Sequence, residues 1–139
     1  MSETIASRAP ELAVQEVLSL HDFFEGWLSG RSPSGEQHFD QLSHRLALGF
    51  EIVTPDGSVL SRASLIDGLA GAFASRGITF RLWVRSAKAR MVSDDLCLVT
   101  YEEWQNRGDG DKGRMSSALL RCTAEGECTW VHVHETKLP

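Results

Sequence analysis

The second half of the chain changes period, and that change constrains the fold more than any other feature. From residue 78 onward four stretches, 78–92, 96–105, 114–122 and 128–137, alternate apolar and polar side chains. They are separated only by SDD, RGDGDKG and AEGE. A period of two marks strands with two different faces. Turns this short join antiparallel neighbours, because a parallel pair needs a crossover of about a dozen residues. The pattern predicts a four-stranded antiparallel meander.

The first half reads as helix with one hairpin. Residues 1–10 form a flexible leader, and a single domain occupies 11–139, with Pro10 suited to a first helical turn. Leu12, Val17, Leu20, Phe24, Trp27 and Leu28 make a helical stripe closed by Gly30. After the turn residues RSPSG, a second helix is predicted over 36–48, with Phe39, Leu42 and Leu46 facing the core and Gly49 at its end. FEIVTPDGSVLS, residues 50–61, reads as two short strands around Pro55-Asp56-Gly57. Ser64 then caps a third helix, with Asp67 three residues on, Leu65, Ile66, Leu69, Ala70 and Phe73 along it, and a stop near Gly77. Helices followed by a long antiparallel sheet make an α+β domain, its N-terminal helices packed on one sheet face.

A chain of 139 residues supports one core, burying roughly 68–70 % of its unfolded surface. Fourteen Lys and Arg against nineteen Asp and Glu give a net charge of −5, and no basic run is present. That balance argues against nucleic acid as partner, since phosphate neutralisation needs clustered cations. MSETIASRAP lacks the basic and apolar regions of a secretory signal, and no apolar run is long enough to span a bilayer. Cys97, Cys122 and Cys128 form no C-x-x-C pair and read as reduced thiols, which points to the cytoplasm.

The segment WVHVHET, 130–136, places Trp130, His132, His134 and Thr136 on one side of an ideal strand, with Val131, Val133 and Glu135 on the other. If the three turns centre on Asp94-Asp95, Asp109-Gly110 and Glu125-Gly126, then Trp104 faces Arg85, Glu102 faces Ala87 and Ser117, and Ser117 faces His134. Leu119 then falls opposite His132. Glu102, Ser117 and His134 would form a row on the helix-covered face, beside Trp83, Arg85 and Trp104. The other face, with Val99, Tyr101, Ala118, Leu120, Val131 and Val133, is too apolar for solvent and predicts a homodimer through the sheet.

The helical start, TPDGSVL, ASLIDGLAGAF and the closing WVHVHET together resemble the NTF2-like superfamily, in particular its SnoaL-like and DUF4440-like small domains. The last strand is also similar to the end of the calcium/calmodulin-dependent kinase association domain. The resemblance implies a cystatin-like α+β cone, a curved sheet wrapped around helices with a blind pocket, and commonly a dimer. Its members include isomerases, cyclases, hydrolases and assembly modules, so fold alone does not name a function. Steroid-isomerase relatives use an aspartate base and a Tyr–acid pair, and the one tyrosine here, Tyr101, falls on the expected outer face.

Two readings of the candidate residues therefore stand side by side. In one, the pocket binds a small apolar or aromatic ligand, His134 and Glu102 do acid–base work of an isomerase, lyase or hydrolase, and His132 orients. Arg85 anchors a polar group, while Trp83, Trp104, Ser117 and Trp27 line the walls. In the other, the histidines are satisfied core groups, Glu102 and Arg85 form an ion pair, and the domain is a non-catalytic homodimerisation or regulatory module. His-x-His offers two metal ligands on one face with no evident fourth, so no metal or cofactor is assigned. His21-Asp22 reads as a surface helix pair. Ser117 lacks the G-x-S-x-G elbow of a serine nucleophile.

Overall fold

The computed structural model describes residues 5–139. Six strands form one open sheet: β1 (Leu46–Val53), β2 (Val59–Ser61), β3 (Arg81–Met91), β4 (Leu96–Asn106), β5 (Asp111–Cys122) and β6 (Cys128–Lys137), in the order β2-β1-β6-β5-β4-β3. The last four make the expected meander, and β1 joins its edge parallel to β6. Bulges in β1, β3 and β6 bend the sheet. In β3 the bulge falls at Ser86, whose φ of 57° is in the left-handed region.

One face of the curved sheet is covered by α1 (Ile5–Ser29). The helix begins five residues before Pro10, within the segment expected to be a leader, and residues 1–4 lie outside the described residues. Ala9, Ala13, Val17, Leu20, Phe23 and Trp27 bury one stripe against Val99, Tyr101, Ala118, Leu120, Trp130 and Val133. Each large side chain so buried contributes about 1.5–3 kcal/mol. Gly30 ends the helix at φ 83°, and a Cβ there would come within 2.7 Å of the Ala74 methyl. Thus Gly30 lets the segment after α3 (Arg62–Ala70) close against the end of α1, where Ala74 and Arg76 donate backbone hydrogen bonds to the Trp27 and Leu28 carbonyls.

The second helix is shorter than its apolar spacing predicts. Only α2 (Glu36–Phe39) is helical, a 3-10 turn covers Ser43–Arg45, and Leu46 already belongs to β1, paired with Trp130. Phe39 and Leu42 are buried as expected, but strand pairing at the sheet edge overrides helical propensity from Leu46 onward. The cap of α3 is Ser61, whose hydroxyl accepts from the Ser64 amide, rather than Ser64 itself.

The assignment of the two sheet faces is reversed from expectation. The apolar set Val99, Tyr101, Ala118, Leu120 and Val133 faces α1, so this chain's own helix covers what a second chain was expected to cover. The more apolar face forms the core, as the area-proportional hydrophobic effect dictates. Trp130 misleads because Val131 is an extra residue in β6: Leu119 pairs His132, but Leu120 pairs Trp130. The bulge lets Trp130 and Val133 point inward together, leaving His132 and His134 on the opposite face.

The β5–β6 register, Ser117 opposite His134, is as predicted. The other two registers differ. Glu102 lies opposite Arg85 and Met115, and Ser117 opposite Thr100, so the Glu102–Ser117–His134 row does not assemble. Trp104 instead meets Trp83 and Gly113, and a Cβ on Gly113 would sit 2.9 Å from the indole. The cysteines also depart from expectation: Cys122 and Cys128 are cross-strand partners 4.2 Å apart at Cα and form a disulfide, while Cys97 is free and buried. The hairpin brings together two residues whose spacing matches no C-x-x-C motif.

Candidate functional site

Between α1, α3 and the inner sheet face lies a cavity of about 180 Å³. Its walls are apolar, with Phe24, Leu28, Ile52, Leu69 and Phe80 among them. Its polar groups come from strand alternation. Tyr101 and Glu103 follow Cys97 and Val99 inward on β4, Arg114 precedes Ser116 and Ala118 on β5, and Glu135 follows Val133 on β6. Cross-strand pairing aligns them into two rows, Tyr101–Ser116–Glu135 and Glu103–Arg114. From the facing helix, His21 enters the same space one turn after Val17, and it is only 4 % exposed.

These groups form a continuous network. His21 Nδ1 donates to the Val17 carbonyl at 2.8 Å, which turns Nε2 toward Glu103 Oε2 at 3.4 Å. The imidazole also meets the Tyr101 ring edge-on, with centroids 5.2 Å apart. Arg114 Nη1 donates to Glu135 Oε1 at 3.2 Å. Behind them Trp130 Nε1 donates to Glu16 Oε2 at 2.9 Å, and Arg45 holds that carboxylate at 2.8 Å.

Burial and proximity move the protonation equilibria in opposite directions. Burial disfavours the His21 cation, but the hydrogen bond and charge of Glu103 outweigh it, with the Val17 carbonyl and Glu135 adding to them, and its pKa lies above 6.5. Burial alone would raise Glu103, yet the hydrogen bond and charge of His21, a hydrogen bond from Glu135 and the charge of Arg114 keep it below 4.5. Glu135 is pushed up to about 8, first by burial and then by the Glu103 charge, against the pull of Arg114 and His21. Tyr101 is held well above its ordinary range by burial and by both carboxylates. At neutral pH the floor thus presents an ionised Glu103, whose charge favours the His21 cation beside it, and two neutral O–H groups on Glu135 and Tyr101.

The residues singled out from sequence lie elsewhere. His134 is exposed, while His132, Ser117, Glu102, Trp83 and Trp104 are half-buried on the outer sheet face, and Arg85 is exposed there. The expected Glu102–Arg85 ion pair does not form. Trp104 Nε1 donates to Glu102 Oε1 at 2.9 Å, and the Arg85 guanidinium lies over the Trp83 and Trp104 rings at 5.7 and 5.2 Å. Trp27 is buried among Phe23, Phe39 and Phe73, and its indole N–H is taken by the Leu69 carbonyl at 2.7 Å. Trp27 therefore fastens α3 to α1 rather than lining the cavity.

His21 was legible as a core residue. It stands at i+4 from Val17 and shares the apolar stripe of Leu20, Phe24 and Leu28, so it could not be a surface residue once that stripe was drawn. Glu103, Arg114 and Glu135 become visible only when the inner face is assigned correctly. Among the described residues no group of three or more His, Cys, Asp or Glu is disposed to hold a metal ion, and no helix is long and apolar enough to cross a membrane.

Comparison with known proteins agrees with this architecture. An NTF2-like protein of unknown function from Pseudomonas aeruginosa superposes with a TM-score of 0.84 at 26 % identity, over 92 % of this chain and 99 % of the other. The CaMKII hub of S. rosetta superposes with a TM-score of 0.64 at 9 % identity, over 99 % and 98 % of the two chains, which is a likeness of fold alone. By sequence, sucrose-phosphatase 1 and sucrose-phosphatase 2 of Nicotiana tabacum are 28 % and 27 % identical over 127 and 128 residues. In each case 88 % of this chain is covered, and the chain spans about 30 % of the length of these curated relatives. The family profile described as sucrose-6-phosphate phosphohydrolase C-terminal matches residues 13–139. With an NTF2-like, cystatin-like fold and a match over nearly its whole length, the chain belongs to the sucrose-6-phosphate phosphohydrolase C-terminal family.

Proposed function

We propose that the chain is a small-molecule-binding domain whose ligand enters the cavity and meets acid–base groups on its floor. One observation carries this reading: Glu103 and Glu135 share the site with their pKa values driven apart, one below 4.5 and the other to about 8. Such separation gives a base and an acid at the same pH. Glu103, steadied by His21, accepts a proton, and Glu135 and Tyr101 donate hydrogen bonds to an oxygen that gains negative charge. This is the chemistry of an isomerase, lyase or hydrolase step, with the working residues one position away from the Glu102 and His134 expected from sequence. The cavity is smaller than the roughly 300–1,000 Å³ that accommodates drug-sized ligands, so it takes a small molecule or one end of a larger one.

The tobacco relatives are named for an activity on a sugar phosphate, and they are far longer than this chain. Under this reading the matched part supplies a ligand pocket to such proteins, and the floor's carboxyl and hydroxyl groups are suited to sugar hydroxyls as well as to carbonyl oxygens. A screen of small polar and aromatic compounds by amide chemical-shift perturbation tests it. Binders should perturb Phe24, Tyr101, Glu103 and Glu135, and E103Q should weaken them. Binders confined to Trp83 and Trp104 would contradict it.

A second reading, a non-catalytic homodimerisation or regulatory module, draws on the outer face. Trp83, Arg85 and Trp104 form a flat, partly exposed aromatic–cation cluster beside Met115, itself 39 % exposed. Arg and aromatic residues are enriched at protein interfaces. Sedimentation at micromolar concentration should show a dimer that W104A weakens, and a clean monomer removes this reading.

A further inference from the structure

The cavity's charged groups are out of balance. The chain as a whole carries −5, yet the cavity is lined by His21, Arg76, Arg107 and Arg114 against only Glu103 and Glu135. Glu103 is occupied by His21. The three arginines come from three separate elements: Arg76 from the turn after α3, Arg107 from the loop after β4, and Arg114 from β5. Arg76 is fixed by its own backbone hydrogen bond to the Leu28 carbonyl at 2.9 Å, yet its guanidinium has no hydrogen-bond or ion-pair partner among the described residues. Arg107 Nε donates to Gln105 Oε1 at 3.1 Å, a neutral partner. Only Arg114 is hydrogen-bonded to a carboxyl group, that of Glu135, and the Asp109 carboxylate, which is ion-paired to Lys112, lies within the field of Arg107.

Three like charges lining one cavity repel one another. Burial lowers the pKa of Arg76, and the charges of Arg107 and Arg114 lower it further, so Arg76 lies within the field of both other guanidiniums on the same cavity. Such a grouping is favourable only when an anion neutralises it, and the planar guanidinium fork matches oxyanions two oxygens at a time. The cavity below has room for about one aromatic ring, since an engineered cavity of about 150 Å³ binds benzene.

We propose that Arg76, Arg107 and Arg114 form an oxyanion subsite on the cavity, and that its ligand is an organic anion. A carboxylate or phosphate lies at the arginines, with the uncharged body against Phe24, Leu28 and Phe80. The inference deepens the pocket reading above and rests on it.

The test uses phenyl phosphate, benzoate and neutral benzyl alcohol at matched ionic strength, with binding read from amide and arginine Nε–H shifts. At least one anion should bind ten or more times as tightly as benzyl alcohol, and the stronger of the two identifies the anionic group. R76Q and, separately, R107Q should remove most of that advantage while leaving benzyl alcohol binding unchanged. The R107Q change lies in an exposed loop, so it separates loss of the subsite from loss of fold. Equal affinity for all three probes, or an advantage that survives both substitutions, overturns the oxyanion subsite while benzyl alcohol in the cavity still supports the pocket. No probe in the cavity overturns both.

Discussion

On the helix side of the sheet, Glu103 is 13 % exposed in its side chain and is held by His21 and Glu135. One residue away on the other side, Glu102 accepts from Trp104, while its cross-strand neighbour Arg85 stacks on two indoles. Both faces therefore carry glutamate, arginine, histidine and aromatic residues. They differ in what surrounds the charges. Inside, each charge can be neutralised only by its fixed neighbours, so protonation states become part of the structure. Outside, water and mobile side chains share the task, and the same residue types build a surface.

Substitutions on the two faces should show this asymmetry directly. The largest effect is expected for H21A, which removes the partner of a buried carboxylate. Such a loss costs about 3–5 kcal/mol, measurable by urea denaturation at neutral pH. A cost below about 1 kcal/mol would mean that the inner pair behaves like a surface one.

Next comes Glu135. Its folded pKa of about 8 exceeds the ordinary 4.5, so the folded state binds a proton that the unfolded chain has released. The contribution of this group to stability is complete below pH 4.5 and is lost as pH rises toward about 8. E135Q is always neutral and can keep both hydrogen bonds. It should abolish that decline and exceed the wild type above pH 8 by a few kcal/mol, on the scale of about 1.4 kcal/mol per pKa unit. Parallel stability–pH profiles for E135Q and the wild type would contradict a buried neutral acid. The smallest effect is expected for H134A on the outer face, within about 0.5 kcal/mol of the wild type by the same denaturation.

The strands of the meander were legible because turn residues punctuate a period of two, and β6 has the bounds read from sequence. The β5–β6 pairing was legible for the same reason. Which face pointed inward was not, because parity along a strand is reset by a single extra residue. Val131 reset it in β6 and separated Trp130 from the histidines that follow, while Ser86 shifted the pairing of β3 with β4. The inner face was nevertheless written in the composition: Cys97, Val99, Tyr101, Ala118, Leu120 and Val133 together are the most apolar set available. Following that set outward along each strand leads to Glu103, Arg114 and Glu135. The site was thus one residue out of register from the reading of WVHVHET.

The proton on Glu135 carries the comparison between the two faces. Its side-chain carboxyl resonance, followed by 13C NMR as pH is raised, should titrate near 8 and move with the resonance of Glu103 through their shared hydrogen bond. A Glu135 midpoint near 4.5, independent of Glu103, would contradict the account of the inner face as an acid–base site.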